Sequence, residues 1–459
     1  MPPSEPTEAR APARLWDPER RLLLVGIICL ITVVATEAMA VSTVMPLVED
    51  DLGDIWLYGW AFSAFYLGDL VGIVLGGRAA DRVAPVVPLL IGLATFTVGL
   101  VVGGLAPSMA VLVLGRMLQG LGAGVVPAVA YVCVGRGFPA MLRPQVFAVM
   151  STAWIVPSLI SPLAASAVAT TVGWRWVFLG LVPITGAVVL LAVRSLRGVG
   201  APTPDHHESA PVGLAVRLAV GAGLVLAGLT SEAWWSIALP VAIGGALVLP
   251  AFRALTPTGT LRAARGLPAA VLTRGVLTFA FFSADAFISL ALTSVRGTTT
   301  LFAGMVLASS SLTWTVGSWV QARYIAPWGA ARLERLGGLA LVVGLVGLAV
   351  CLVPEVPLAC WFLASCIAGF GMGTAYSPLS VVTLAEAEPG REGAATSALQ
   401  MTDVLGVAIG TGVAGVAVAV GDRMDAARST TLTVLFLGSA LVAVVVVLLS
   451  GRLERPHSG

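Results

Sequence analysis

The chain has 459 residues, of which 58% are hydrophobic and 11% are charged, and its formal net charge is +2 at pH 7. A soluble domain of this length could not cover so much apolar surface, which excludes an ordinary soluble protein and predicts one that crosses a membrane many times. The small net charge gives no reason to expect a nucleic-acid partner.

Runs of about 20 apolar residues predict an all-α membrane protein with fourteen spans. The first six are predicted at 22–47, 57–79, 87–105, 109–132, 146–172 and 176–193. Two more follow at 212–229 and 234–252, and the last six are predicted at 275–295, 301–321, 336–353, 358–381, 394–420 and 430–450. The two sets of six form two bundles, with an additional pair of helices between them in sequence.

These spans set the expected domain organisation. A polar stretch at the beginning is expected to be a disordered tail and not a cleaved signal. The segments are a cytoplasmic tail at 1–20, a six-helix bundle at 21–197, a cytoplasmic linker at 198–211, two additional transmembrane helices at 212–252, a second cytoplasmic linker at 253–274, a six-helix bundle at 275–450 and a cytoplasmic tail at 451–459.

Arginine placement supports this count of spans. The basic residues are all arginine, which fits a GC-rich genome, and with a cytoplasmic N-terminus the outside segments hold only Arg175, Arg296, Arg423 and Arg428. Most of the other arginines fall in cytoplasmic segments, as the positive-inside rule requires. Leaving out one span would reverse every later loop. We expect a multi-pass protein of the bacterial cytoplasmic (inner) membrane with both termini in the cytoplasm.

Weak internal symmetry relates the two bundles. Span 1 contains Glu37 in the stretch TEAMAVS, and span 9 contains Asp285 in the stretch SADAFIS. Each acid lies near mid-span, has alanine neighbours and is followed by a serine. Repeats of this kind are typical of transporters whose binding site lies where the two halves meet.

The stretch Leu112–Pro127 places Arg116 inside a span. Its guanidinium stays charged and costs from a few to more than ten kcal/mol at bilayer depth, so it needs an acidic or carbonyl partner inside the bundle. The helical rise places Glu37 and Arg116 in the outer half of the membrane, and we predict that they contact each other directly or through water. The residues after the arginine predict close packing against a neighbouring helix: Gln119, Gly120, Gly122 and Gly124.

Four stretches carry a family resemblance: Leu114–Gly124 (LGRMLQGLGAG), Gly77–Arg82 (GRAADR), Glu37–Pro46 (EAMAVSTVMP) and Gly173–Phe178 (GWRWVF). They resemble the helix-4 signature, the helix 2–3 gating loop, the helix-1 signature and the helix 5–6 junction of the major facilitator superfamily, in its 14-helix drug:proton antiporter branch. The resemblance implies the major facilitator fold, with two pseudo-symmetric six-helix bundles and two extra central helices. It also implies proton-coupled export of amphipathic drugs or other small hydrophobic compounds by alternating access.

The sequence departs from the family pattern in two places. The gating loop has Ala84, Pro85 and Val86 where a later glycine and a basic pair are usual. In span 5 the pattern Gly-Pro-x-x-Gly-Gly is replaced by SPLAAS at 161–166. Serine and alanine still allow close packing, so we expect a bend at Pro162, with a second at Pro157.

The ionisable residues predicted at membrane depth are functional candidates: Glu37, Asp69, Arg116, Asp285 and Asp403. The resemblance implies that Glu37 and Arg116 form a proton-linked pair. Because Asp285 is the repeat equivalent of Glu37, it is a further candidate for proton coupling. The alternative is that Glu37 is a purely structural partner for Arg116. Burial disfavours the charged carboxylate and an arginine favours it. A conformational change at Glu37 would therefore make proton release and substrate binding compete. The coupling ion is the proton, and no other cofactor is expected.

Other residues are assigned to a cavity or a gate. Asp69 either lines the cavity or ties spans 2 and 4 together. Asp403, near the cytoplasmic end of span 13, is expected to form a structural hydrogen bond with the cytoplasmic gate, where the resemblance also places Gly77, Asp81 and Arg82. The aromatic side chains that could line an apolar cavity, although each alone is more often packing, are Trp154, Phe281, Phe282, Trp314 and Tyr376.

The sequence fits several other functions less well. His206 and His207 lack further ligand-spaced residues, the cysteines lie in apolar runs, and no phosphate-binding loop occurs, so we expect no metal site and no use of ATP. The closest rival is a lipid or endogenous-metabolite exporter on the same fold. An intramembrane aspartyl protease built on Asp69 and Asp285 is disfavoured because Tyr66 replaces an expected glycine, and a non-transporting sensor lacks an output domain. We expect a monomer, not an enzyme, whose partners are a small amphipathic substrate, protons and the lipid bilayer.

Overall fold

The computed structural model describes residues 16–80, 82–139, 142–196, 212–231, 234–388 and 392–453. The predicted linker 198–211 with His206 and His207, and the predicted gate residue Asp81, lie outside these ranges. Within them the chain is helical throughout and contains no strand, which confirms the predicted all-α class.

The helices follow one another with short connections. They are α1 (Pro18–Leu52), α2 (Tyr58–Ala80), α3 (Val86–Gly104), α4 (Met109–Gly137), α5 (Arg143–Thr152), α6 (Ile155–Thr171), α7 (Arg175–Leu179), α8 (Leu181–Leu196), α9 (Val212–Leu229), α10 (Trp234–Leu255), α11 (Leu267–Leu290), α12 (Thr300–Trp328), α13 (Ala330–Cys351), α14 (Ala359–Glu386), α15 (Glu392–Arg423) and α16 (Arg428–Leu449). A π-helix at Ala291–Val295 extends α11.

The helices account for the fourteen predicted spans. In the described ranges 13 helical stretches are long and apolar enough to cross a membrane, with α7 and α8 counted as one. The remaining crossing is the pair α5 and α6. Large apolar side chains such as Leu190, Leu441 and Leu448 are exposed on the outside of the bundle, as lipid-facing residues are.

The two six-helix halves repeat the same packing. In the first half α4 packs against α2 and α3, and in the second half α14 packs against α12 and α13. The additional helices α9 and α10 pack against each other, and α9 also contacts α2 and α15. The extra pair is therefore central in sequence but lies beside the bundles, where α2 of one half meets α15 of the other.

Glycines set the distance between these helices. A Cβ at Gly120 would overlap the backbone of Phe65 on α2, and one at Gly124 would overlap the backbone of Asp69. Gly122 points the other way, where a Cβ would overlap Gly92 on α3. All three glycines that follow Arg116 therefore lie in close contact with neighbouring helices, and these contacts involve two neighbours and not one.

Several contacts between the halves lie on the same side of the membrane. We call the side on which α1 begins and α16 ends the terminal side, and the other the opposite side. On the opposite side Ser63 of α2 bonds to Thr411 of α15 at 3.1 Å and Ser166 of α6 to Thr300 of α12 at 3.0 Å. Glu49 of α1 lies 3.8 Å from Arg428 of α16.

The predicted bend in span 5 is a break at Pro157. The ring of a proline collides with the carbonyl four residues earlier and removes one helical hydrogen bond. That carbonyl belongs to Ala153, and the helix stops at Thr152 and resumes at Ile155. The freed oxygen accepts a hydrogen bond from Thr32 at 3.4 Å. Pro162 stays inside α6 and packs against Gly304 of α12.

Gly120→Ala is expected to destabilise the protein by about 1–3 kcal/mol, because its methyl group would overlap a helical backbone that cannot rotate away. Thermal unfolding in detergent would show a lower midpoint. Gly186→Ala is the matched control, because a Cβ there meets nothing within 4 Å and alanine favours a helix. Equal midpoints for the two variants would contradict the close packing at Gly120.

Candidate functional site

The predicted contact between Glu37 and Arg116 is present. The Nη1 of Arg116 donates to Glu37 Oε1 and to Gln119 Oε1, and its Nε donates to the Ala61 carbonyl at 2.9 Å. Glu37 is 0% exposed and Arg116 is 2% exposed. The guanidinium is therefore held by acceptors on three helices, α1, α2 and α4, and does not face open space.

The close helix packing creates this arrangement. Because Gly120 lets α2 approach α4, the Ala61 carbonyl comes within reach of Arg116. Gln119 continues the network by donating to the Gly99 carbonyl of α3 at 3.0 Å. Glu37 Oε2 has no hydrogen-bond partner among the described residues. One carboxylate oxygen thus remains able to bind a proton.

A second buried arginine lies in the other half. Arg274 is 3% exposed, donates to the Tyr376 carbonyl at 2.7 Å and to Ser380 Oγ at 2.6 Å, and has its Nε 3.9 Å from Asp403 Oδ1. The Tyr376 hydroxyl donates to Asp403 Oδ2 at 2.7 Å. Asp403 therefore forms this hydrogen bond inside the second half, to α14.

The prediction that 253–274 is a linker is wrong at its end, because α11 begins at Leu267 with Pro268 in its first turn. Arg274 is part of the helix. The same error hid Glu334, since the predicted span starts at 336 and α13 starts at Ala330. Glu334 is fully buried, and neither of its carboxylate oxygens has a hydrogen-bond partner in the described chain.

An aromatic row connects the two arginines. Adjacent ring centroids lie 5.3 to 6.4 Å apart, and the row crosses from one half to the other between Tyr66 and Phe282. Arg116 lies 4.4 Å from the first ring and Arg274 lies 3.4 Å from the last. The row consists of Phe65, Tyr66, Phe282, Trp314 and Tyr376.

Four of the five predicted cavity aromatics belong to this region. Phe281 packs against Phe282 at 5.1 Å and against Trp314 at 5.4 Å. Trp154 is separate: it lies at the break between α5 and α6, is 43% exposed and has no ring contact among the described aromatics. Tyr66 belongs to the same row but was not predicted, although its position three residues before Asp69 on one helix was a usable signal.

Two predicted acids have no arginine beside them. Asp69 and Asp285 are half-buried, and neither forms an ion pair with a described residue. Asp69 lies against Gly124, where a Cβ would be 2.9 Å from Asp69 Oδ1. Asp69 therefore contacts α4 and is also partly open. Asp285 lines a small crevice with Ser310 and Ser365.

The predicted gate residues are only partly described. Arg82 is exposed, and a Cβ at Gly77 would meet nothing within 4 Å, so no close approach requires glycine there. The end of α2 is held instead by Arg136 of α4, which donates to the Ala80 carbonyl at 3.0 Å.

Arg116→Gln is expected to lower the free energy of unfolding by about 3–5 kcal/mol, because it leaves a buried carboxylate without its cation. The double variant Glu37→Gln/Arg116→Gln should lose less than the sum of the two single variants, since no unpaired charge remains. Chemical unfolding in detergent measures all three. Arg323→Gln, at an exposed position, is the control. Additive losses would show that the two side chains do not interact.

Comparison with known proteins gives consistent results. The family model of the Major Facilitator Superfamily matches residues 27–411. A probable multidrug-efflux transporter of Mycobacterium tuberculosis is 28% identical over 429 residues, which cover 88% of this chain and 90% of the relative. The multidrug transporter protein MdtP of Bacillus subtilis is 26% identical over 194 residues, or 42% of this chain and 36% of the relative.

Solved structures resemble the chain over nearly its whole length. A POT family transporter in complex with 5-aminolevulinic acid has a TM-score of 0.69 at 16% identity and covers 94% of this chain and 96% of its own. A bacterial homologue of the lysosomal transporter Spinster, in an inward-facing and unoccupied conformation, has a TM-score of 0.67 at 14% identity, with 95% and 96% covered. At this identity the likeness shows the fold alone.

Proposed function

Because the chain belongs to the major facilitator superfamily, whose members are membrane transporters and not enzymes, we propose that it exports small amphipathic compounds in exchange for protons. The buried contact between Glu37 and Arg116 carries this proposal, because it holds a protonatable group at the start of a row of aromatic rings. The membership also excludes the intramembrane protease considered from the sequence.

We assign the terminal side to the cytoplasm of a bacterial cell. The arginine distribution supports this assignment. With this orientation, the hydrogen bonds of Ser63 and Ser166 and the contact of Glu49 with Arg428 close the protein toward the outside. Alternating access then requires these contacts to break while others form on the cytoplasmic side.

Proton exchange at Glu37 would couple the two states. Oε1 accepts a hydrogen bond from Arg116, and Oε2 has no hydrogen-bond partner among the described residues. Water reaching Oε2 from either side could deliver or remove a proton. Substrate export is driven by protons if substrate and proton favour different states of the protein, since coupling requires only that difference.

The charge distribution favours an amphipathic cation as substrate. Both buried arginines are surrounded by carbonyl, hydroxyl and carboxylate groups, whereas Asp69 and Asp285 are partly exposed and have no arginine partner among the described residues. The faces of the aromatic row attract cations. Acidic groups and aromatic rings together fit a compound with an apolar body and one positive charge.

One feature favours the alternative of a lipid exporter. A cavity of about 700 Å³ opens on the opposite side, beside the additional helix α9, and its lining includes Trp56, Trp60, Thr230 and Arg423. Indole rings and a cation suit the interface where lipid head groups lie. Transfer of a labelled phospholipid between bilayer leaflets by the reconstituted protein, without transfer of soluble cations, would favour this alternative.

Glu37→Gln is expected to abolish transport driven by a pH gradient, because glutamine cannot carry a proton on and off. In proteoliposomes with an acidic interior, the unaltered protein should accumulate a fluorescent lipophilic cation such as ethidium. The variant should only equilibrate it. Glu355→Gln, in the exposed loop between α13 and α14, should accumulate it like the unaltered protein. Accumulation by Glu37→Gln would contradict the coupling role.

Asp69→Asn is expected to weaken binding of a lipophilic cation by roughly tenfold, the loss of about 1.4 kcal/mol, and to leave a neutral compound of similar size unaffected. Fluorescence titration in detergent measures both affinities. Asp425→Asn, in the exposed connection before α16, should bind both compounds like the unaltered protein. An equal loss for the cationic and the neutral compound would show that the Asp69 charge does not act on the substrate.

A further inference from the structure

The glycine pattern of α4 recurs in α14. Gly369 and Gly373 approach the backbone of α12, and Gly371 between them approaches Gly337 of α13. Gly120, Gly124 and Gly122 make the same three approaches to α2 and α3. The two helices are therefore equivalent members of the repeat, and their glycines align residue by residue.

This alignment identifies which residue replaces Arg116 in the second half. Arg116 lies four residues before Gly120, and Ser365 lies four residues before Gly369. Gln119 corresponds in the same way to Ala368. The packing agrees, because Gly99 approaches the backbone nitrogen of Gln119 and Gly344 approaches that of Ala368.

The second half has an acid at the position of Glu37 but no cation at the position of Arg116. Glu37 on α1 corresponds to Asp285 on α11, but the position facing Asp285 carries a serine hydroxyl where the first half has a guanidinium. The carboxamide of the first half is replaced by the methyl group of Ala368. Two long polar side chains are missing from the second half.

A crevice lies where those side chains would be. Its volume is about 10 Å³, and its lining includes Asp285, Ser310, Ser365 and Ala368, with leucines of α13 closing it. This is close to the smallest space that holds one water molecule. Ser365 is 0% exposed, and its Oγ has no hydrogen-bond partner among the described residues. This buried hydroxyl lines the crevice together with Asp285 and Ser310, which are the polar groups of an otherwise apolar lining.

Among the described residues, Asp285 is the one titratable side chain that lines the crevice. The titratable side chains that α11 and the helices around it place in the membrane interior do not line it: Glu37 on α1, Tyr58, Tyr66 and Asp69 on α2, Arg274 on α11, Glu334 on α13, Cys366 and Tyr376 on α14, and Asp403 on α15. The residues of α16 from Ser429 to Leu449 include no titratable group. Arg274 donates its hydrogen bonds to Tyr376 and Ser380 and not to Asp285.

We propose that this crevice is a proton-binding site, in which Asp285 carries an exchangeable proton and one water molecule links its carboxyl group to the hydroxyl of Ser365. A carboxylate at this depth needs either a cation or a proton, and the second half has Ser365 where the first half has the cation Arg116. On binding, a hydronium O–H bond breaks and the carboxyl O–H bond forms; on release the proton returns to water. The site's role in transport rests on the proposed proton-coupled export, whereas proton binding itself does not.

Infrared spectroscopy of the detergent-solubilised protein tests proton binding directly. A pH titration should show a carboxyl C=O band that disappears in Asp285→Asn and shifts in frequency in Ser365→Ala, because the linked water loses one partner. Glu355→Gln should leave the band unchanged. Ser311→Ala should also leave it unchanged, since that hydroxyl donates within its own helix at 3.3 Å. A band that survives in Asp285→Asn, or does not move in Ser365→Ala, overturns the proposal.

Proton release on substrate binding tests the role of the site. Addition of a lipophilic cation to weakly buffered protein should release one proton fewer from Asp285→Asn than from the unaltered protein. An unchanged number overturns the proposal. So does replacement of the pH dependence by a dependence on Na⁺, since the crevice would then bind a metal cation. Asparagine matches aspartate in shape and no ion pair is lost, so thermal unfolding should be unchanged.

The two proposals fail in different ways. If the unaltered protein accumulates no substrate under a pH gradient, the proposed antiport is wrong, but the infrared band of Asp285 remains. If the band is absent while Glu37→Gln abolishes accumulation, the antiport stands and this site is wrong.

Discussion

The burial of one guanidinium governs the first half of the molecule. Arg116 cannot lose its proton, so every acceptor around it must come from the protein, and three helices supply them through Glu37, Ala61 and Gln119. A carbonyl can serve as an acceptor only if its helix comes close, which Gly120 allows. The charge therefore fixes where the helices lie, and the glycines are the condition for that placement.

The second half solves the same packing problem with different chemistry. Its glycines at Gly369, Gly371 and Gly373 keep the helix spacing, but the arginine position holds Ser365. A guanidinium appears elsewhere, at Arg274, nearer the terminal side and bound to α14. The two halves share the helix spacing set by these glycines, but their buried arginines lie at different positions. This separation allows the two halves to take different roles within one architecture.

Much of this could be predicted from the sequence. Hydropathy and arginine placement gave the number of spans, and the cost of Arg116 identified Glu37 as its partner. Arg274 and Glu334 were missed because hydropathy ends a span where charge begins, whereas helices α11 and α13 begin earlier, at Leu267 and Ala330. Hydropathy measures how favourably a residue transfers into lipid, and it does not include the hydrogen bonds and ion pairs that neighbouring helices provide. Helix-start signals such as Pro268 would have corrected the first boundary.

The break at Ala153 has a mechanical consequence. A continuous helix transmits force as a rod, because each peptide is bonded to the next turn. Between α5 and α6 that ladder is interrupted, and the freed carbonyl of Ala153 is held by the hydroxyl of Thr32. Such a bond contributes about 1 kcal/mol, far less than the packing of α6 against α12. Helix α6 is thus held firmly against α12, whereas α5 is joined to it through a weakly held break and can change its angle to α6 at little cost.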